Sequence, residues 1–514
     1  MDVRRQAGKF IEDLSGTQEC LGAMLQVLSL SDGEADVAVK QLAMSILISW
    51  LKKWWNLLDD GSHNTIRLGV VTLLQQDLVS LSNSRALRTS LSVAITSIAE
   101  RQYPQLWPTF VTDVLGVWQC SPLPRQEIVI AALEAIVTDC IDSDFNNNLP
   151  VLRRQEIISG LKEQIDSLLG VAFASLGDNL AKLNRIEAAR AVSAPSSQQP
   201  EHTALVNVAS ATVKLVRAII QFKKAPEVCK EPHDFSLIAL ALLGLPNTPQ
   251  LQKEAAQLLC SVSQDKLPLD LFARLLQALP NAPVAGPGAA PDLTSVLEFQ
   301  RYYAAGVYGI LGENIAQAVD PSFLSADPAA HQVLGSYVSL MARLVRDSSH
   351  KVAAEVVKDW QRVFKEGAIT QRPWMADVVT LVLTVYLGKA VRGVWVDGVA
   401  SDPQDAAEFE EQDDYLEFTN KFHAALRELL ALIAAKFPDL AAAFAASKIA
   451  LTLQQPPPHR GGKGLSGGSR VGRASHVSQR HLQGHSPQLH ERRAHLASLD
   501  GCLGLSLGLG GASR

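Results

Sequence analysis

Residues 39–58 read VKQLAMSILISWLKKWWNLL, and the apolar positions in this stretch repeat with the period of an α-helix. One face of that helix would carry Val39, Leu42, Ala43, Ile46, Trp50, Trp54 and Leu58. The same spacing recurs in Leu87–Ile98, Ile158–Leu176 and Leu205–Phe222. Because no segment alternates apolar and polar residues between turn signals, we predict an all-α chain without a sheet.

The connections between the predicted helices are short and polar, as in Asp59-Asp60-Gly61-Ser62 and Ser121-Pro122-Leu123-Pro124. Short breaks between helices of about 15–20 residues are typical of antiparallel neighbours. A chain of 514 residues holds many such pairs, spaced near the 40–47 residues of HEAT-like repeats. We therefore predict an α-solenoid of HEAT-like helical repeats.

Three stretches interrupt the helical pattern. Residues 193–200 favour a flexible loop, and residues 280–291 favour a Pro- and Gly-rich insertion. The tail from 454 to 514 is rich in Gly, His, Arg and Ser and is predicted to be disordered. It is either a genuine basic tail or non-native coding sequence from an intron read-through or frameshift, and the abrupt change of composition favours the second interpretation.

The sequence carries no pattern typical of an enzyme. The six cysteines are scattered without a C-x-x-C pair, and the histidines of the body are isolated, which indicates no metal site. There is no G-x-S-x-G motif, and Gly461-Gly462-Lys463-Gly464 lies in the tail with no strand before it, so it is not a phosphate loop. We predict no catalytic residues and no cofactor.

Charge is distributed unevenly along the chain. The last 60 residues hold eight Lys or Arg against two acids, which gives them a net charge of +6. Since the whole chain carries −5, the rest of it carries −11. The N-terminus lacks the apolar core of a signal peptide, and no apolar run reaches the length of a membrane span. We expect no membrane insertion and a location in the nucleus and cytoplasm.

Two local charge features are candidates for binding. The acidic segment 397–417 contains nine acids and no Lys or Arg, and it is either a solvated loop before a helix or a negative patch for a basic partner. The basic pairs are Arg4-Arg5, Lys52-Lys53, Arg153-Arg154 and Lys223-Lys224. They either lie on solvated helix faces or form a stripe that would hold a phosphate backbone.

Several segments resemble karyopherins of the importin-β superfamily. Residues 4–14 resemble a helix of the first repeat, and Val39–Leu58 resembles the repeat that follows. Arg101-Gln102-Tyr103-Pro104-Gln105-Leu106-Trp107-Pro108-Thr109-Phe110 is similar to the exportin element R-x-W-P-x-x-W-P, with Tyr103 in place of its first Trp. Phe145–Leu180, which contains Arg153-Arg154 within Leu149–Ile157, and the acidic segment resemble exportin five and its plant counterpart Hasty.

The resemblance implies a shuttling export receptor that binds Ran in its GTP form, contacts nucleoporins and acts as a monomer. Residues 1–118 would form the Ran-binding repeats, and residues 119–453 would be the exportin-type HEAT repeats. The cargo implied is small structured double-stranded RNA such as microRNA precursors, which is recognised by shape and backbone. Compared with the family, the chain is expected to begin inside the first repeat and to stop under halfway.

The resemblance also nominates residues. The possible Ran-facing side chains are Lys40, Lys52, Lys53, Arg85 and Arg88, each of which could equally be an ordinary solvated helix residue. The family-motif positions with a structural role are Arg101, Tyr103, Pro104, Trp107, Pro108, Arg153 and Arg154. Among these, Trp107 is expected to close a turn between repeats and to fill a gap there.

Two other functions compete with RNA export. One is a related karyopherin that carries protein cargo, and the other is a HEAT-repeat scaffold without transport activity. The Arg101–Phe110 element favours a karyopherin over a scaffold. Only the Arg153-Arg154 region and the acidic segment favour exportin five over its relatives.

Overall fold

The structure of the chain is a computed structural model in which helices make up almost all of the described residues. Beyond the single residue Lys9, the described stretches are 19–30, 36–76, 79–141, 150–190, 199–223, 234–245, 248–262, 269–278, 293–320, 328–347, 349–390, 395–396, 399–400 and 408–454.

The helices follow one another with short connections, numbered here in chain order. They are α1 (Glu19–Ser29), α2 (Val37–Trp54), α3 (Asp60–Gln75), α4 (Val79–Asn83), α5 (Arg85–Gln102), α6 (Phe110–Cys120), α7 (Leu123–Ile141), α8 (Val151–Arg190), α9 (Gln199–Lys223), α10 (Asp234–Leu243), α11 (Pro249–Val262), α12 (Leu269–Ala278), α13 (Leu293–Ala318), α14 (Pro328–Asp347), α15 (His350–Glu355), α16 (Val357–Lys365), α17 (Gly367–Thr370), α18 (Met375–Ala390), α19 (Gln412–Lys436) and α20 (Pro438–Gln454). A 3-10 turn, Trp55–Leu57, follows α2, and a two-residue antiparallel ladder joins β1 (Trp395–Val396) to β2 (Val399–Ala400).

The long helices form two rows. In the first row, α2, α5, α7, α9, α11, α13, α16 and α19 each pack on the next. In the second row, α1 packs on α3. Further along this row each helix packs on the next in the order α6, α8, α10, α12, α14 and α18. Pairs such as α1 with α2, α8 with α9 and α10 with α11 join the rows, and a continuous apolar core lies between them. This is the arrangement of a HEAT-type α-solenoid, so the predicted fold class is confirmed, and the short ladder is the one departure from it among the described residues.

Helix α5 follows its sequence pattern closely. The Ser84 hydroxyl accepts a hydrogen bond from the Leu87 amide at 3.3 Å, which caps one of the free N–H groups at the helix start. The predicted apolar stripe is buried, and none of its members is more than 2% exposed: Leu87, Leu91, Ala94, Ile95 and Ile98.

Helix α2 turns a different face to the core than the sequence predicted. Val39 and Leu42 are 49% and 48% exposed, whereas Lys40 and Met44 are 1% and 2% exposed. The predicted stripe was therefore wrong at its N-terminal end. The reason is that the Lys40 ammonium donates to the Leu30 carbonyl at 2.7 Å, which allows its aliphatic stem to occupy a core position.

Helix α8 contains 40 residues and is about 60 Å long at 1.5 Å per residue, well beyond the length predicted for these helices. The next helix, α9, begins at Gln199, so the last two residues of the predicted loop 193–200 are helical, and the others lie outside the described residues. The predicted insertion 280–291 and the tail after Gln454 also lie outside them.

Helix α9 is long and apolar enough over Pro200–Phe222 to cross a membrane on length and composition alone. Most of its apolar residues are buried in this fold, including Leu205, Val208 and Ile219, and the helix packs between α7, α8 and α11. The core of a helical array requires such a helix, so its composition is explained by packing.

By its contacts the chain divides into Met1–Thr452 and Leu453–Arg514. The repeats all lie in the first unit, which continues across residue 118. The division of the repeats at that residue therefore stays a functional prediction.

Candidate partner-binding edge

The segment between α5 and α6, residues 103–109, is named here the Trp107 turn. The chain folds around the last residue of α5, because the amides of Leu106 and Trp107 both donate to the Gln102 carbonyl, at 2.7 and 3.0 Å. The Tyr103 amide donates to the Ala99 carbonyl at 2.8 Å and so continues the helical bonding by one residue. Pro104, which lacks an N–H, then prevents further helix.

The indole of Trp107 fills the space inside this turn. The side chain is 4% exposed, and its ring packs edge-on against Phe110 with centroids 4.9 Å apart. Its Nε1 donates to Asp113 Oδ2 at 2.8 Å, so the polar atom of the indole is satisfied. From α3, the Arg67 guanidinium lies 5.8 Å from the ring centroid and donates to the Leu106 carbonyl at 2.6 Å. Trp107 therefore lies in the turn between α5 and α6 and fills the space inside it.

Tyr103 connects the Trp107 turn to α8. Its side chain is 2% exposed, and its ring lies 5.6 Å from that of Phe110. A Cβ atom at Gly160 would lie 2.8 Å from the Tyr103 hydroxyl, so only glycine allows this approach of α8. Burial, with a smaller contribution from the charge of Glu163, raises the pKa of Tyr103 to about 12.

Arg153 binds the Trp107 turn from the start of α8, which begins directly after Pro150. Its Nε donates to the Glu100 carbonyl at 2.8 Å, and its Nη2 donates to the Tyr103 carbonyl. Its Nη1 donates to the side chains of Gln105 and Glu156, the latter at 2.8 Å. The two sequence elements that carried separate parts of the resemblance therefore form one structural unit.

Five basic side chains at or beside this unit are named here the basic edge: Lys52, Lys53, Arg101, Arg153 and Arg154. The charges of Lys52 and Arg101 act on Glu100, and those of Arg153 and Arg154 act on the neighbouring Cys140. Lys53 follows Lys52 near the end of α2, and its ammonium lies 5.1 Å from the ring centroid of Trp54. The Arg101 guanidinium lies 5.8 Å from the ring centroid of Trp55. The Nε of Arg154 has no hydrogen-bond partner among the described residues. Two of the four predicted basic pairs are thus brought to the same edge by the fold.

Two carboxyl groups, those of Glu100 and Asp139, lie among these bases. The pKa of Glu100 is raised to about 7, chiefly by burial and also by a hydrogen bond with Asp139 and the charge of that carboxylate, while the charges of Arg101 and Lys52 oppose the rise. Burial also raises the pKa of the neighbouring Cys140 thiol to about 12. Near neutral pH a proton therefore resides partly on Glu100, which leaves the edge more positive than a count of its residues would indicate.

The edge carries the positive charge that attracts an acidic partner. Burial raises the pKa of the Cys20, Cys140 and Cys260 thiols, which makes them poor nucleophiles. Across the part of the chain that the structure describes, no three His, Cys, Asp or Glu side chains are placed to hold a metal ion.

The possible Ran-facing residues fall in different places. Lys40 is buried, and Arg88 is 8% exposed, with its Nε bonded to Glu127 at 2.8 Å, so we remove both from the proposed contact surface. Lys52 and Lys53 are exposed on the basic edge. Arg85 is exposed at the first residue of α5, about 23 Å along that helix from Glu100 and hence far from the basic edge.

The sequence profile of the Exportin 1-like protein family matches residues 84–222, which include α5 to α8, nearly all of α9 and the whole Trp107 turn. These residues support a relationship to the exportins, a group of karyopherins. Exportin-2 of Homo sapiens is 26% identical over 118 residues, and exportin-2 of Oreochromis niloticus is 29% identical over 116 residues. Exportin-5 of Mus musculus is 23% identical over 263 residues. The comparisons do not single out the exportin five branch.

The similarity covers a limited part of each protein. It spans 23% of this chain and 12% of human exportin-2, and 51% of this chain and 21% of mouse exportin-5. These relatives are exportins by name, and the name describes transport rather than catalysis.

Sequence reasoning missed several residues that build the edge. Arg67 and Glu100 carry no local signal, because their partners lie 39 and 53 positions away along the chain. Asp113 could have been found from the sequence, because acids are favoured in the first turn of a helix. Its carboxylate lies four residues after Thr109 and accepts a hydrogen bond from the Thr109 hydroxyl at 2.9 Å.

Proposed function

We propose that this chain forms part of a nuclear export receptor that binds Ran in its GTP form and carries small structured double-stranded RNA. One observation carries the proposal. The residues that match the exportin family, 84–222, include both the Trp107 turn and Arg153, which binds it. The receptor shuttles between nucleus and cytoplasm, contacts nucleoporins at the pore and acts as a monomer.

The basic edge is the proposed contact for Ran. Lys52 and Lys53 are exposed there, and Arg101 and Arg153 add positive charge beside them. A cluster of bases attracts an acidic partner surface and increases its rate of association. The double substitution Lys52→Glu with Lys53→Glu should therefore weaken binding of GTP-loaded Ran by about tenfold or more.

Arg85→Glu is the control for that experiment and is compared with the single substitution Lys52→Glu, because each reverses one exposed charge and Arg85 lies at the far end of α5. It should change Ran affinity by less than about twofold in the same titration. An equal loss in both proteins would show that Ran senses the charge of the whole chain and would contradict the assignment of the basic edge.

RNA cargo is tested by binding of a fluorescent hairpin RNA in the presence of Ran-GTP, Ran-GDP or neither. We expect affinity that depends on Ran-GTP and falls steeply with salt, because phosphate contacts release counterions. A single strand of the same composition should bind more weakly, since the hairpin is recognised by shape. Binding that ignores both the nucleotide on Ran and the fold of the RNA would refute the cargo assignment.

Protein cargo is the second candidate, and one observation favours it. Outside the tail the chain carries a net charge of −11, which repels phosphate backbones and attracts basic proteins. If this candidate is correct, Ran-GTP binding persists and hairpin RNA fails to bind at any salt concentration. A HEAT scaffold without transport activity binds neither form of Ran.

A further inference from the structure

A surface cavity of about 350 Å³ lies where the N-terminus of α15 meets the residues that lead into α19. Its size is in the range of pockets that hold small ligands or single side chains. It is lined by Lys351, Glu408, Phe409, Glu410, Asp414 and Phe418, and it is named here the acidic–aromatic pocket.

The aromatic wall of the pocket is held in place by neighbouring rings. Phe409 is 4% exposed, and its ring centroid lies 5.1 Å from those of both Tyr415 and Phe418. Phe418 in turn stacks on Phe422 with centroids 6.0 Å apart. The two rings that line the pocket, those of Phe409 and Phe418, are thus packed against each other and against further rings behind them.

A cation already contacts this wall. The Lys351 ammonium lies 4.6 Å from the Phe409 ring centroid and also donates to the Glu408 carbonyl. A positive group over the face of an aromatic ring is attracted by the ring's negative π-face. The aromatic wall therefore already contacts one cationic group, at the face of Phe409.

The rim of the pocket is acidic and exposed. Glu410 and Asp414 line the cavity, and Glu411 and Asp413 lie exposed beside it. Since Lys351 is the single base among the described lining residues, these residues carry a surplus of negative charge. Among the described residues no group of acids is arranged to hold a metal ion, so the charge suits an extended organic cation better.

We propose that the acidic–aromatic pocket binds an arginine side chain from a basic segment of a partner protein. A guanidinium is planar, stacks on aromatic rings and donates in pairs to carboxylates, so one group satisfies both the Phe418 face and the Glu410 and Asp414 rim. RNA does not fit this surface, because its phosphates would face the same carboxylates. The proposal is independent of Ran binding and of export activity.

The test uses the full chain and a blocked, fluorescein-labelled peptide, Gly-Arg-Gly-Arg-Gly, in fluorescence anisotropy. Two companion peptides replace both arginines by lysine or by citrulline, which keeps the shape of arginine without its charge. We expect the order arginine, then lysine, then citrulline in affinity. The double variant Glu410→Gln with Asp414→Asn should lose about tenfold or more for the arginine peptide.

The matched control is Glu411→Gln with Asp413→Asn, which removes the same two charges from the same stretch outside the lining. It should lose less than about twofold. All four side chains are exposed, so neither variant is expected to unfold the protein. Phe418→Leu should reduce the preference for arginine over lysine by about threefold, because it removes the ring face and keeps an apolar side chain.

Three results would overturn the proposal. Equal losses in the two double variants would indicate a diffuse acidic surface. A citrulline peptide that binds as well as the arginine peptide would remove the role of charge. Displacement of the peptide by millimolar Ca²⁺, with the loss of a calcium signal in the Glu410→Gln, Asp414→Asn variant, would assign the pocket to a metal ion instead.

Discussion

Replacement of Arg153 by methionine is the most informative test of how the Trp107 turn is held. Methionine keeps much of the apolar stem of arginine and removes every donor. The Glu100 and Tyr103 carbonyls then lose a charged donor in a place where water has little access, because the arginine side chain is only 18% exposed. Gln105 and Glu156 are exposed and can be rehydrated.

The expected magnitude follows from the two carbonyls. A hydrogen bond from a charged donor contributes about 1.5 kcal/mol at the low end of the measured range. Two of them give about 3 kcal/mol of local stability, which corresponds to about a 100-fold faster exchange of protected amides. The affected amides should be those of the turn, above all Leu106 and Trp107, which bond to Gln102.

Hydrogen exchange followed by mass spectrometry measures this directly, and Arg154→Met serves as the control. Arg154 occupies the next position on α8, and its Nε has no hydrogen-bond partner among the described residues. Its loss should change exchange in the turn by less than about tenfold. If Arg153→Met leaves exchange of residues 101–110 unchanged, or if both variants have the same effect, Arg153 does not hold the turn.

Three further substitutions test the same region. Trp107→Ala should cost about 3–5 kcal/mol of unfolding free energy in urea titration, because it empties a buried site, and a midpoint equal to that of the parent protein would refute this. Gly160→Ala should cost about 1–3 kcal/mol, because its Cβ would lie 2.8 Å from the Tyr103 hydroxyl, whereas Gly170→Ala on the same helix meets open space and should be neutral or stabilising. The raised pKa of Glu100 means that the folded protein keeps a proton that the unfolded chain releases, so stability falls as pH rises from the unfolded value near 4.5 through about 7. Glu100→Gln should therefore stabilise the protein at pH 8 by on the order of 1–3 kcal/mol and little at pH 4.5, and a difference that is the same at both pH values in thermal melts would contradict the assignment.

The helical periods were readable from the sequence where the core face is purely apolar. Helix α5 shows this, because every predicted core residue from Leu87 to Ile98 is buried. Helix α2 shows the limit of the method, because Lys40 takes a core position that no hydrophobic pattern would assign to it. A lysine can do so because its ammonium donates to the Leu30 carbonyl, directly after α1, and to the Ser80 hydroxyl on α4.

The length of α8 was not readable from local signals. Gly160, Gly170 and Gly177 interrupt its sequence, and each lowers helix propensity by roughly 1 kcal/mol. Tertiary packing outweighs that cost, since Leu161, Leu168 and Leu176 are fully buried against neighbouring helices. Gly160 is also required by the approach of Tyr103, a contact between residues 57 positions apart in sequence.

Residues of the candidate site could be named from the sequence, but their contacts with one another could not be predicted. Trp107 and Arg153 were both singled out by residue pattern, but their union depends on the arginine reaching carbonyls 50 and 53 residues away. The buried state of Arg88 depends in the same way on Glu127, 39 residues away. Long-range partners of this kind decide which basic residues remain available to a binding partner.

Capture of the chain on immobilised Ran loaded with GTP or with GDP tests the central claim most directly. The account predicts binding to Ran-GTP that is at least about tenfold tighter than binding to Ran-GDP and that weakens with rising salt. Equal binding to the two forms, or binding to neither, would contradict the proposal that this exportin-related chain is a Ran-dependent transport receptor.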